Sequence, residues 1–390
     1  MSTGAAAHVA VVTRHFGGTP DEPAGLARLV AGALARHARV SVVHLVDALG
    51  AGEEQSVDDS VFRVHRELVG GARPLWGGIA RVALVGAGVR APARGGAALL
   101  ERLAGEAPGV AARLGALAPD AVVLVGCDQP FDLTAALGAR GRGPRVTLIP
   151  LLGANRPDEV PRAEALCARA DAIASVHPGE HAALVDALGE RGGDVVALDL
   201  ALPLNRGAAH HRLFGVRWFG RYVVLLRAFP GGGPRHYRGP THEYVRQVLG
   251  RVAVAEVDDG RWRITDGEHH LLLPVNPTRV NLWRLMEHAV ATIDLRPPGP
   301  IGREALESML LRTPAVVPEG SAAHAHVAAA SGGLWYQDIG ECLDATRILL
   351  DRPLRDRLGA QGEAYAAAHH GDSASFVRRV AELVLGTTAT

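Results

Sequence analysis

The 390-residue chain carries 41 Lys plus Arg against 41 Asp plus Glu, a formal net charge of zero. That balance provides no global field to recruit nucleic acid or an acidic lipid surface, so any anion site must be local. The length exceeds what one core usually supports and predicts two domains of roughly 150 to 200 residues.

Three cysteines, Cys127, Cys167 and Cys342, are odd in number and far apart. They suit neither a disulfide framework nor zinc spacing, and a cytoplasmic location is expected. The opening MSTGAAAHVAVV has no basic flank before its apolar run, so no signal peptide is expected. Arg73, Arg81, Arg90 and Arg94 interrupt the best apolar candidate, and no run reaches the roughly 18 residues of a membrane span.

In chain order, His8–Thr13 (HVAVVT) predicts a strand, followed by a Gly-bearing loop (RHFGGTPDEP), a helix over 24–37 and a strand over 40–45. That order opens a doubly wound α/β domain, whose ligands lie at the carboxyl ends of its strands. Further strands are predicted at Ala121–Val125, Arg145–Ile149, 172–176 and 195–198, with helices over 159–169 and 180–188 between them. The aperiodic stretch 203–217 reads as a linker. A second sheet then starts with Tyr222–Leu226, running into Arg227 and the loop AFPGGGPRHYRG. A helix over 241–249, strands over 252–257 and 271–274, a helix over 281–289 and a strand over 290–295 follow. After a strand at 334–336, helices over 339–350 and 354–368 and the amphipathic Ser373–Leu385 end the chain. The expected division is 1–207, 208–372, and a terminal helix in 373–390 packing back on the first domain.

The stretch 296–318, RPPGPIGREALESMLLRTPAVVP, carries the strongest local signal. Pro297, Pro298 and Pro300 keep its entry non-helical, while Gly299 and Gly302 let backbone N–H groups approach a ligand. A helix from about Gly302 and Arg303 aims its positive end at that loop, which makes an anion site. Leu306, Met309, Leu310 and Thr313 are predicted to pack inward, with Glu304 and Glu307 together on a flank. Pro314 stops the helix, and Ala315, Val316 and Val317 start a strand.

These residues resemble the retaining GT-B glycosyltransferases that use an E-x7-E motif, of the family 4 type. ALESMLLRTPAVV (305–317) is similar to their LLEAMACGTPVV element, and VVALDLALP (195–203) to the strand that leaves their first domain. YVVLLRAFPGGGPRHYRG (222–239) resembles their strand, Arg, loop and basic residue. GGLWYQDIGECLDATRILLDRPLRDRLGAQG (332–362) resembles their closing segment. The resemblance implies two Rossmann-like domains facing across a cleft, with a nucleotide diphosphate sugar donor on the second, a hydroxyl acceptor on the first, and no metal or other cofactor. It implies that Glu307 binds the donor ribose, with Gly302 and Arg303 at the start of its helix. Arg227, with Arg235 or Arg238, would neutralise the diphosphate, and Gly17 and Gly18 would lie near the sugar and acceptor. Two positions depart from the family: Gly299 stands eight residues before Glu307, where its first Glu falls, and Cys127-Asp128 stands near the place of its usual His. Asp128 can orient an acceptor hydroxyl or serve as a loop or cap residue.

Other signals are weaker. Gly86-Ala87-Gly88 imitates a dinucleotide fingerprint outside the first strand-to-helix turn. With Trp76 and its arginines, that region reads as a packing helix, an acceptor lip or a membrane-surface patch. His15, His177, His236, His242, His324 and His326 lack metal-site spacing, which makes core or surface histidines the default. Glu304 reads as a first-turn residue complementing the helix dipole. A non-catalytic GT-B partner protein, a sugar-nucleotide epimerase and an NAD oxidoreductase stay open as alternatives.

Overall fold

The computed structural model describes residues 6–14, 16, 22–46, 56–58, 61–68, 108–127, 137, 141, 143–152, 160–202, 204, 222–226, 253–258, 261–265, 270–273, 279–296 and 299–386. They form two α/β units. The first contains β1 (His8–Thr13), α1 (Glu22–Leu34), β2 (Arg39–Val46), β3 (Ser56–Asp58), β4 (Arg63–Leu68), α2 (Pro108–Leu117) and β5 (Ala121–Val125), then β6 (Arg145–Ile149), α3 (Val160–Cys167), β7 (Ala172–Ser175), α4 (Pro178–Leu188) and β8 (Val195–Ala197). The second contains β9 (Tyr222–Leu226), β10 (Ala253–Asp258), β11 (Arg261–Thr265), β12 (His270–Leu273), α5 (Arg279–Glu287) and β13 (Thr292–Asp294), then α6 (Arg303–Leu310), β14 (Ala315–Pro318), α7 (Ala322–Ala330), β15 (Gly333–Tyr336), α8 (Ile339–Ile348) and α9 (Arg352–His370). α10 (Ser373–Leu385) is the last described element.

The first sheet runs β3-β4-β2-β1-β5-β6-β7-β8, and only β3 is antiparallel to its neighbour. The second runs β12-β11-β10-β9-β13-β14-β15, parallel from β10 to β15, with β11 and β12 added as an antiparallel edge. Central strands such as AVVLV are buried along their whole length because helices cover both faces. Val9 and Val11 pack toward Val30 of α1, while Ala10 and Val12 pack toward Val110 and Leu114 of α2. Phe376, Val380 and Val384 of α10 join the first of these cores, so the last described helix lies on the first sheet. The three cysteines are buried and unbridged. Burial pushes the Cys167 and Cys342 thiols up to about 12. No described helix is long and apolar enough to cross a membrane.

One charged residue fixes the carboxyl ends of two central strands. α4 begins with Pro178 after the N-cap His177, whose Nδ1 accepts from the Glu180 amide at 3.1 Å. Glu180 is 1% exposed, a rare state for a helical Glu that needs full hydrogen-bonding. Its Oε1 accepts from the Leu152 amide at 2.8 Å and its Oε2 from the Val176 amide at 2.7 Å. The segments leaving β6 and β7 are thus tied through one carboxylate. Glu180→Ala strands two buried N–H groups and is expected to destabilise the protein by about 3 kcal/mol in urea unfolding. Glu180→Gln keeps one acceptor oxygen and is expected to cost less.

Candidate functional site

The carboxyl ends of β9, β13, β14 and β15 point the same way because these strands are parallel. The segment leaving β13 at that end is organised by Arg296. Its Nε and Nη2 donate to Asp294 Oδ1 and Oδ2 at 2.9 and 2.8 Å, and Nη2 also donates to Glu304 Oε2 at 2.9 Å. Burial alone would lower the Arg296 pKa; the Asp294 and Glu304 carboxylates reverse this and hold it well above its ordinary value. Glu304 therefore does not act as a solvated first-turn carboxylate. It is 5% exposed and folds the loop back onto the strand end through Arg296.

The loop then enters α6 through Gly302, which has φ 72° and ψ 34° and caps the helix without a side-chain bond. A Cβ at Gly302 would lie 2.6 Å from both Cα and N of Ala323, in the first turn of α7. Two helix starts thus meet backbone to backbone, and both carry partial positive charge. Ile301, just before, packs among core residues of the first unit, including Leu198 and Leu200. Both units therefore meet around the start of α6.

α6 is buried on all sides from Glu304 to Leu310, so Glu304 and Glu307 do not share an exposed flank. Leu306, Met309 and Leu310 pack with Leu202, Val327 and Ala366, as their spacing requires. The remaining face is closed by polar contacts: Ser308 Oγ lies 2.8 Å from Thr292 Oγ1 and 2.9 Å from the Thr313 carbonyl. Thr313 Oγ1 donates to the Met286 carbonyl at 2.7 Å.

Glu307 is 0% exposed and is therefore not a solvated helix carboxylate, the usual state of a helical Glu. Arg303 Nε donates to its Oε1 at 2.9 Å. Helix stability does not explain this pair. An Arg in the first turn opposes the macrodipole, and Arg preceding Glu by four residues is the poorer orientation. The Arg303 guanidinium also extends to the other unit, where Nη1 would lie 3.1 Å from a Cβ on Gly25 of α1. A buried carboxylate, a guanidinium and the starts of α1, α6 and α7 therefore converge between the two units.

Gly302, Arg303 and Glu307 lie together in this arrangement. Gly17, Gly18, Asp128, Arg227, Arg235 and Arg238 lie outside the described residues, as do His15, His236, His242 and the 70–96 region with Trp76 and the GAG fingerprint. Sequence reading missed the structural role of Arg296; the signal was a charged pair, Asp294 and Arg296, ending an apolar strand. Among the described residues, no group of three or more His, Cys, Asp or Glu is arranged to hold a metal. A separate cavity of about 680 Å³ opens at the far end of the first sheet, among Arg39, Ser41, Arg63, His65 and Arg113. α1 and α2 end there, so their dipoles oppose an anion and the arginines complement those ends.

No protein-family model matches this chain, and no curated protein matches it. Solved structures do match in fold. A sucrose-phosphate synthase from Thermosynechococcus elongatus matches with a TM-score of 0.63 and 14% identity, over 97% of this chain and 98% of its own. A trehalose-6-phosphate synthase, studied for enzymatic glycosyltransfer with retention, gives a TM-score of 0.61 and 12% identity, over 96% and 99%. HepE from Anabaena, in complex with UDP and glucose, gives 0.56 and 13% identity, over 96% and 98%. The fold is GT-B: two parallel-strand α/β units, matched over nearly the whole chain.

Arg296→Met would leave two carboxylates facing each other under the loop. A loss of about 3–5 kcal/mol in thermal or urea unfolding is expected. Adding Glu304→Leu should recover part of it, because one uncompensated charge is then removed.

Proposed function

We propose that this protein is a glycosyltransferase that moves a sugar from a nucleotide diphosphate to an acceptor hydroxyl with retention. The observation that carries the reading is Glu307: a fully buried carboxylate, bonded by Arg303, at converging helix starts and strand ends. A vicinal diol needs a carboxylate that can accept two hydrogen bonds, and a diphosphate needs N–H groups and guanidiniums. The fold likeness to proteins whose descriptions name UDP, glucose and retention supports the same reading.

In this reading Glu307 binds the donor ribose, and Gly302, Arg303 and Arg235 hold the diphosphate. Arg227 and Arg238 meet the charge that develops as it leaves. Asp128 orients the acceptor hydroxyl, and Gly17 and Gly18 let the backbone approach the sugar. The acceptor oxygen attacks the anomeric carbon on the face that the leaving group departs from. The bond to the phosphate oxygen breaks through an oxocarbenium-like state, and that oxygen takes the acceptor proton. No dedicated nucleophile or metal is then required. The three unbridged cysteines support a cytoplasmic location.

Gly299 supports a second reading, a protein that binds the donor without transferring the sugar, because a glycine there offers no side chain to a sugar hydroxyl. One set of measurements separates the two. Wild-type protein is expected to be stabilised in thermal shift by UDP or GDP and their sugars, by about 2.7 kcal/mol at a hundredfold excess over Kd. Glu307→Gln should weaken that binding roughly tenfold to a hundredfold. Equal nucleotide affinity in wild type and Glu307→Gln would remove the ribose assignment. Binding without release of free nucleotide across an acceptor panel would select the second reading.

A further inference from the structure

The chain passes between the two units twice, through the segment after β8 and again between α9 and α10. These crossings are stapled to each other by one residue. The Leu202 amide donates to the His370 carbonyl at 3.1 Å, and His370 Nδ1 lies 3.2 Å from the Leu200 carbonyl, which fixes it as the donor. The boundary between cores runs through this staple, since Leu198, Leu200 and Ala201 pack in the first core and Leu202 in the second. Two passages bonded side by side are where one unit must turn against the other.

Two more histidines meet His370 there. The His326 ring of α7 stands at right angles to it, with centroids 5.2 Å apart. The ring of His177, the N-cap of α4 in the first unit, has its centroid 6.3 Å from that of His326. Gly179 of α4 sits against Ala325 of α7, so His177 and His326 face each other across the inter-unit contact. All three rings are at most 4% exposed; the Leu152 and Ile301 carbonyls face His177 and His326, and the Nε2 of His370 is buried without a hydrogen-bond partner. An orphaned polar atom of this kind is costly and calls for an explanation.

We propose that His177, His326 and His370 form a pH-sensitive latch on the hinge: neutral, they hold the two units together, and protonated, they release them. Three imidazolium ions cannot share this dry space, because each loses its hydration and repels the others. The Leu152 and Ile301 carbonyls offset the burial of His177 and His326 only in part, and few charged groups face the cluster. Tyr365 of α9 contacts His326 Nδ1 at 3.1 Å, and Glu180 has both oxygens committed to backbone amides. Asp199 is shared with Arg379 of α10 and with His369 at 3.6 Å. The latch does not depend on the donor assignment.

The pH window follows from burial. It lowers His177 and His370 from 6.5 to about 4, Asp199 only partly offsetting the effect at His370. Burial, then the neighbouring His370 and His177, lowers His326 well below its usual value. The folded values lie below the solvated ones, so the closed arrangement is fully favoured above about pH 6.5 and loses ground as pH falls toward 4. At about pH 5.5 each of His177 and His370 favours a hydrated, open arrangement by about tenfold.

The test is inter-unit distance, by small-angle scattering and by fluorescence transfer between dyes on the two units, from about pH 7.5 to 4.5. Wild type is expected to open within this range while its far-UV circular dichroism stays constant. His177→Asn, which keeps an N-cap acceptor, combined with His326→Phe, which keeps the ring volume, is expected to stay closed to lower pH. Near-wild-type melting of that variant at neutral pH establishes that it folds, and His177→Asn alone, shifting the opening part-way, serves if the double variant does not. An unchanged wild-type distance, opening only together with loss of dichroism, or the same pH profile in folded variants would each overturn the proposal.

Discussion

The contact between Gly302 and Ala323 is the constraint from which the arrangement between the units follows. Two helices start within touching distance only because one of them begins on a residue with no side chain, in a left-handed conformation that L-residues avoid. That approach sets the axis of α6, whose buried length then fixes Glu307 in the interior and Arg303 at the rim. It also sends Ile301 into the first unit's core. A side chain at Gly302 would separate α6 from α7 and disturb both the anion-facing helix ends and the seam between the units.

The charges around this point divide by what they are committed to. Arg296 is committed to Asp294 and Glu304 and acts as an internal crosslink, as Glu180 does at the strand ends of the other unit. Such groups shape a loop and offer little to a ligand. The pair of Arg303 and Glu307 differs: it is set against the helix dipole and reaches across to α1, so helix stability does not account for its placement. This contrast between charges committed to a crosslink and charges set against the helix dipole is the physical ground for preferring Glu307 over Glu304 as a binding group.

Much of the architecture was legible because its strands are runs of β-branched residues buried on both faces, such as HVAVVT and AVVLV, punctuated by Gly, Pro and Asp. Periodicity also identified the inward residues Leu306, Met309 and Leu310. It could not reveal that the opposite face of α6 is buried, since Ser308 looks like a surface residue until Thr292 is seen to meet it. Pro314 marked the stop of α6 to within a turn; the helix ends at Leu310, and Arg312 takes φ 63° where a glycine is more usual. The histidine cluster was invisible for a different reason. His177, His326 and His370 are isolated in sequence and meet only through packing of α4, α7 and α9, so no spacing rule could join them.

α10 has a consequence for how the protein is made. Phe376, Val380 and Val384 fill a gap in the core built on Val9, Val11 and Val30, yet they are synthesised after the entire second unit. The first unit therefore cannot complete its core as it leaves the ribosome, and must wait with an apolar surface uncovered until distant residues arrive. Contacts of such long sequence separation slow folding. In nascent chains that surface is a natural point for chaperone engagement, and loss of the last helix would injure the domain that was translated first.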